Sequence, residues 1–537
     1  MRRPWLRNRT ATRARRCALA LELMVRNVVA HSRIGAEGPG HDGESTMNKC
    51  VWTIAALLMA VSGTCSAESV VTYHNSLTRH GMYKVPGLTL SAAANMHLDR
   101  SFKAKVDGHV YAQPLYWLPA GAKTGQIIVA TESNVVSALD SVTGAVTWKT
   151  KLPPSVPLSQ LPCGNIDPDG ITGTPVIDPA AGIVYFDALT KGKEGPRQLV
   201  YALSLADGSI VSGWPLDIQA ELAKKGVTFS SSTQGERSAL LLFGGSLYVN
   251  YGGNWGDCGS YNGTVVQLRT SSPELVASWA TRANGGGIWA QGGIAGDGES
   301  LYLTTGNTFN ASTWSDGEAI IRLRPGLAHS TKTKDYFAPS NWQSLDNQDL
   351  DLGGTEALPL NIAVPGSAPA KRVIAFGKDG NAYLADRTNL GGIGGALAVA
   401  SVSTGQIITA PAVYHTQSAT MVAFTNSGGS GCSGNSLTML NVAASGSSPI
   451  TGAWCAPFNG RGAPILTTTD GEANPIAWVA GAEGDNLLHG FNAITGQSVF
   501  AGGGTAMSGL HHFVTILAAE GRLYVAGDGK VYAFAFH

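Results

Sequence analysis

Neither sign of charge predominates in this chain: 37 basic residues stand against 37 acidic ones, and charged residues make up 14% of its 537 positions, well below the usual quarter. Such a balanced surface has no electrostatic footprint for nucleic acid or an anionic membrane. Long apolar runs are also missing. Beyond Val61 no stretch approaches the roughly eighteen apolar residues of a membrane-spanning helix, which excludes a transmembrane segment from the mature chain. No Cys-x-x-Cys-His occurs, so no covalent c-type haem is expected. Phosphate-cradling loops and nucleophile-elbow motifs are absent as well, and the many Gly-Gly pairs read as turns.

What is abundant is glycine. The 68 glycines are roughly twice the usual share, as expected for many short strands joined by tight turns. A chain this long implies several domains unless one repeated architecture accounts for all of it.

The first residues read as processing segments. Residues 1–46 are arginine-rich and aperiodic. From Met47 the chain runs through Lys49, an apolar stretch from Val51 to Val61 and small residues ending Cys65-Ser66-Ala67, a secretory signal cleaved after Ala67. Translation is therefore expected to start at Met47, with 47–67 as signal peptide, 68–537 as the mature domain and export to the periplasm or cell exterior. Lipid attachment at Cys65 is the competing reading, but no leucine stands three residues before it. Of seven cysteines, four remain in the mature chain, room for two disulfides in an exported protein. Cys432 and Cys455 lie within one repeat and form the expected pair. Pairing of Cys163 with Cys258 is left open.

One pattern recurs along the mature chain. Ile127 to Thr131 is followed by Val135 to Asp140, Thr143-Gly144 and Trp148, with further copies at Leu199 to Gly208, Leu247 to Leu268, Leu301 to Gly306, Val373 to Asp386, Trp478 to Gly496 and Leu523 to Phe534. Period-two alternation makes these segments strands, and the Asp/Gly turns make them hairpins. A single unit cannot bury both its faces, so the units must stack. First strands fall near Tyr111, Gly173, Ser238, Ala290, Glu356, Ala410, Ala463 and Phe513, which predicts an all-β fold: one β-propeller of eight four-stranded antiparallel blades. The last blade lacks a fourth strand, and Leu98 to Val106 is expected to supply it and close the ring.

Ala138-Leu139-Asp140, Thr143-Gly144 and Trp148 resemble the repeat of the quinoprotein alcohol dehydrogenases, whose repeat tryptophan docks onto the neighbouring blade. The resemblance covers Tyr111 to His537, and it is shared by non-catalytic propellers. In the dehydrogenases it implies pyrroloquinoline quinone (PQQ) and calcium. Trp289, after Gly285-Gly286-Gly287, is similar to the tryptophan on which the cofactor stacks. Asn307, in Thr305-Gly306-Asn307, is similar to a metal-binding asparagine. Asp351, in Asp349-Leu350-Asp351-Leu352-Gly353-Gly354, matches the catalytic aspartate beside the metal. Lys378, in Gly377-Lys378-Asp379-Gly380, matches the basic residue that contacts the quinone carbonyls. An indole floor, oxygen ligands for a hard cation and a lysine beside the quinone oxygens form a coherent redox site, with Asp351 accepting the substrate hydroxyl proton.

The same resemblance shows departures. Asn254 stands where the family has a metal-binding glutamate, with Asp257 nearby as a compensating carboxylate. The adjacent cysteine pair over the quinone is reduced to Cys163, and Asp167 and Asp169 occupy the region of a basic partner, leaving little cationic counter-charge there. Each candidate also has an ordinary reading: Trp289 as inter-blade packing, Asn307 as a positive-φ turn residue, Asp351 as a loop or strand cap, Lys378 as a solvated turn. His74, His80, His109 and His511-His512 match no zinc spacing. Only a shared funnel mouth would join them, and they read as solvated or hydrogen-bonded. Two functions follow. The first is a non-catalytic exported propeller whose loops or funnel bind a protein, glycan or small-molecule ligand. The second is a PQQ- and calcium-dependent dehydrogenase of alcohols or related hydroxyl substrates that passes electrons to a separate acceptor.

Overall fold

The computed structural model describes residues 68–429 and 431–537. The processing segments expected at 1–46 and 47–67 lie outside the described residues. Eight sheets follow one another along the chain. Blade 1 shows the repeating unit: Leu115–Trp117, Gln126–Thr131, Val135–Asp140 and Val146–Lys151 pair in sequence order, all antiparallel. Both faces of its two middle strands are buried, because each sheet packs between two others. That is why these strands read as near-continuous apolar runs. Among the described residues no helix is long and apolar enough to cross a membrane.

The eighth blade is completed from the other end of the chain. Lys530–Ala535 pairs antiparallel with His97–Leu98 and again with Ala104–Lys105, so the expected closing strand is present, interrupted between its two halves. Docking tryptophans hold neighbouring blades together. Trp148 Nε1 of blade 1 donates to Leu205 O of blade 2 (2.9 Å), and its ring leaves room only for glycine at Gly208, where a Cβ would stand 2.5 Å from the indole. Blade 6 repeats the device on blade 7, with Trp454 Nε1 donating to Ala493 O (2.9 Å) beside Gly496.

First strands begin two to five residues later than the sequence expectation, for example at Leu115 rather than Tyr111 and at Ala295 rather than Ala290. The intervening residues approach the axis as irregular backbone. Below them, residues 70–85 thread the centre and touch all eight blades. Tyr116 N donates to Val70 O and Ile177 N to Val71 O. Arg79 reaches Leu240 O and Ile294 O. Val413 N donates to His80 O and Leu466 N to Gly81 O. His80 Nε2 meets Pro359 O at 2.8 Å, and His74 Nε2 meets Thr515 Oγ1 at 3.2 Å. His74 and His80 are thus hydrogen-bonded, as read from sequence. Met82–Lys84 then adds a parallel strand to the inner edge of blade 7.

Candidate functional site

In blade after blade, the residues just before the first strand line an axial cavity, and those three to five positions further on meet the central segment. Arg237 faces the cavity and Leu240 binds Arg79. Trp289 faces it and Ile294 binds Arg79. Arg461 faces it and Leu466 binds Gly81. The central segment therefore lies beneath the cavity, which measures about 630 Å³, within the range of small-molecule sites.

All five sequence-derived candidates, Asn254, Trp289, Asn307, Asp351 and Lys378, lie on this cavity wall. Four of them are joined through Asp351. Its Oδ2 accepts from Trp289 Nε1 (3.1 Å) and pairs with Lys378 Nζ (2.8 Å), and its Oδ1 accepts from the Asn307 backbone N–H (2.9 Å). Lys378 Nζ also reaches Asp349 Oδ1 (2.8 Å) and lies 5.1 Å from the centre of the Trp289 ring.

Local backbone explains this convergence. The helix Trp342–Gln348 ends where Asp349 adopts the left-handed conformation (φ 54°), which turns the chain so that Asp349 and Asp351 flank the lysine. Gly353 then packs against the backbone of Thr305 and Gly306, where a Cβ would stand 2.7 Å from Gly306 N. This close approach presses the aspartate loop onto the Asn307 loop. The ordinary readings of two candidates are set aside by geometry: Asn307 does not take a positive φ, whereas Asn310 does, and the Lys378 side chain is only 14% exposed.

Burial pushes the Asp351 carboxyl above the ordinary carboxylate range, against the pull of Lys378. For Lys378 burial acts downward, but the Asp351 and Asp349 charges prevail and raise it. Behind them Glu318 accepts from Leu352 N, and burial together with the Asp351 charge pushes it well up. Asp351, with three donors against the one of Glu318, is the better-supported anion of the two.

Asn254 is on the wall, but its Nδ2 donates to Ser232 O (2.9 Å). Asp257, the compensating carboxylate, lines the cavity with Oδ1 accepting from Tyr261 OH at 2.6 Å. Cys163 and Cys258 form a disulfide, as do Cys432 and Cys455. The first bond abuts the wall, since a Cβ on the lining residue Gly256 would lie 3.6 Å from Cys163 Sγ. A disulfide between distant segments thus stands beside the cavity where the family's adjacent pair was missing.

The scarcity of counter-charge expected from Asp167 and Asp169 is corrected by the structure. Arg237 and Arg461 both line the cavity, giving three cations with Lys378. Asp169 is half-buried near Arg237, whose guanidinium desolvation lowers and the Asp169, Asp257 and Glu132 charges raise. Sequence reasoning missed both arginines, although each stands one or two residues before a proposed first strand. His109 and His511 are likewise hydrogen-bonded, as read from sequence, and they share one partner, the carboxylate of Asp528.

The residues present fit a planar polyanion well, with an indole face and three cations. They fit a divalent ion less well, because the Asp351 carboxylate already holds an ammonium and its companions Asn254 and Asn307 are amides.

The sequence matches no protein-family model and no curated protein. Solved structures match in fold. The quinohemoprotein alcohol dehydrogenase from Comamonas testosteroni aligns over 90% of this chain and 82% of its own, at TM-score 0.63 and 15% identity. The quinohemoprotein alcohol dehydrogenase ADHIIG from Pseudomonas putida HK5 aligns over 87% and 80%, at 0.61 and 13%. A europium-containing methanol dehydrogenase aligns over 87% and 98%, also at 0.61 and 13%. The chain has the eight-bladed fold of the quinoprotein alcohol dehydrogenases.

Proposed function

We propose that this chain is an exported oxidoreductase that binds pyrroloquinoline quinone in the axial cavity and oxidises an alcohol or related hydroxyl substrate, delivering electrons to a separate acceptor. The observation that carries this reading is the convergence of Trp289, Asn307, Asp351 and Lys378, drawn from three separate segments, on one cavity that also holds Arg237 and Arg461. Two disulfides agree with an oxidising compartment.

When bound, the quinone supplies the hydride acceptor. Trp289 would offer its face to the ring system, and the two arginines would neutralise cofactor carboxylates. Lys378, held between two aspartates, would stabilise charge developing on the quinone. Asp351 takes the substrate hydroxyl proton, its basicity raised by burial. Calcium, if bound, would take oxygens from Asp351, Asn307 and Asn254 in exchange for the lysine contact.

A second reading is favoured by that same lysine contact: a binding module that holds a planar anionic ligand without turnover. Titration of the purified chain with PQQ, with and without calcium, separates them. Bound-quinone absorbance and a raised melting temperature, both abolished in Trp289→Ala, are expected, together with alcohol-dependent reduction of an artificial acceptor. Asp351→Asn should retain the quinone and lose turnover by about 10³-fold or more. Binding with no turnover in the parent across an alcohol panel leaves the binding module. No binding at saturating quinone removes the oxidoreductase reading and removes this quinone as the ligand of a binding module.

A further inference from the structure

Outside the cavity lining, three side chains from distant parts of the chain point at one another. His109 Nδ1 lies 2.8 Å from Asp528 Oδ2, and His511 Nε2 lies 2.7 Å from Asp528 Oδ1. Among the described residues this is the one group of three His, Cys, Asp or Glu side chains whose ligand atoms all lie within 4.8 Å of one another. We propose that His109, His511 and Asp528 form a binding site for a zinc-like divalent transition metal ion at the seam where the N-terminal arm closes the ring.

The chemistry of the set selects the ion. Two imidazole nitrogens and one carboxylate oxygen suit zinc and its neighbours rather than calcium or magnesium, which take oxygen ligands. Zinc ligands at about 2.0–2.2 Å in a tetrahedron stand roughly 3.4 Å apart, and the three ligand atoms already lie within 4.8 Å of one another, so coordination asks for shifts of about an ångström. Asp528 is 28% exposed and His109 44%, which leaves the fourth position to water.

The segments carrying the three ligands are already tied together. Asp528 N donates to Gly509 O (2.9 Å), two residues before His511, and Gly529 N donates to Gly108 O (3.1 Å), one residue before His109. Gly509 takes a positive φ (68°), and a Cβ there would stand 2.5 Å from the Asp528 Cβ, so the approach requires glycine. Tyr111 stacks on the His511 ring at 4.4 Å, and the two histidine rings meet edge to face at 5.6 Å. Rings fixed by packing and backbone lose little entropy on coordination. Because His109 leads into blade 1, its carbonyl accepting from Glu132 N (3.0 Å), and the other two ligands belong to blade 8, the ion would staple the first blade to the last, and binding would raise the stability of the closed form.

The test is equilibrium dialysis of the purified chain against zinc, with metal counted per chain, alongside Asp528→Asn, His109→Ala and His511→Ala. One zinc per chain is expected in the parent, with affinity about 100-fold weaker in each variant and a melting temperature that rises with zinc in the parent alone. A variant-independent arm maps diethylpyrocarbonate labelling of the parent's histidines with and without zinc. Protection is expected at His109 and His511 and not at the exposed His97. No uptake at saturating zinc, uptake equal in parent and variants, or labelling of His109 and His511 that zinc leaves unchanged would overturn the proposal and reduce the cluster to two aspartate–histidine hydrogen bonds.

Discussion

Among the described residues Arg461 has no partner carboxylate in an ion pair, whereas Lys378 has two, so the charge of Arg461 is the more available to an incoming anion. Arg237 is committed differently, half-buried in the field of Asp169, Asp257 and Glu132. Removing Arg461 therefore costs an interaction made only with ligand. Arg461→Ala should weaken quinone binding about ten-fold, near 1.4 kcal/mol, and flatten its salt dependence while leaving the melting temperature of the free protein unchanged. An equal loss for an uncharged planar ligand would remove the electrostatic role. The four residues joined through Asp351 were legible because local motifs carry them: Gly-Gly-Gly before Trp289, Thr-Gly before Asn307, Asp-Gly after Lys378. The arginines were not, since Glu236-Arg237-Ser238 and Arg461-Gly462 carry no motif. Only the rule that residues just before each first strand face the cavity exposes them, and that rule needs the strand boundaries.

Strands and hairpins were readable because their alternation and turn chemistry are local. The central segment 70–85 was not, because it has no period and the hydrogen bonds that seat it on the blades go to residues far along the chain. Three of its non-glycine residues, His74, Asn75 and Arg79, hold positive φ (51°, 56° and 61°), conformations fixed by surroundings rather than by sequence. Burying His74 here has a pH signature. Burial lowers its pKa to about 3 from an ordinary value near 6.5. The unfolded chain therefore binds a proton in that window that the folded chain refuses. Stability conferred by neutral His74 is fully present above about pH 6.5 and is lost as pH falls, at up to about 1.4 kcal/mol per pH unit. Glu356, which burial raises to about 7, acts in the opposite sense but is common to parent and variant. His74→Gln should thus lose about 2 kcal/mol less than the parent between pH 6.5 and 5, measured by urea unfolding at each pH. Parallel curves would mean that His74 takes up its proton without unfolding.

At the scale of the whole molecule, the N-terminal arm does two separable things. Residues 70–85 fill the axis beneath the cavity, and residues 97–105 close the ring by covering the Lys530–Ala535 edge. An uncovered outer strand edge is a template for another chain, whereas emptying the axis is a loss of packing and hydrogen bonds that uncovers only the inner edge of blade 7, which faces the centre of the ring. Deleting 68–85 should therefore give a monomer with a closed ring and a lower melting temperature. The loss comes largely from Arg79, whose fully buried guanidinium holds carbonyls of blades 3 and 4, and whose Ala variant alone should cost about 3 kcal/mol or more. Deleting 68–106 removes the closing strand as well and should yield oligomers or aggregate at concentrations where the shorter deletion stays monomeric, as read by light scattering after gel filtration. A monomeric, cooperatively folding 107–537 chain would show that the stack of eight blades holds its ring shape without the strand from the arm, by the packing of blade on blade alone.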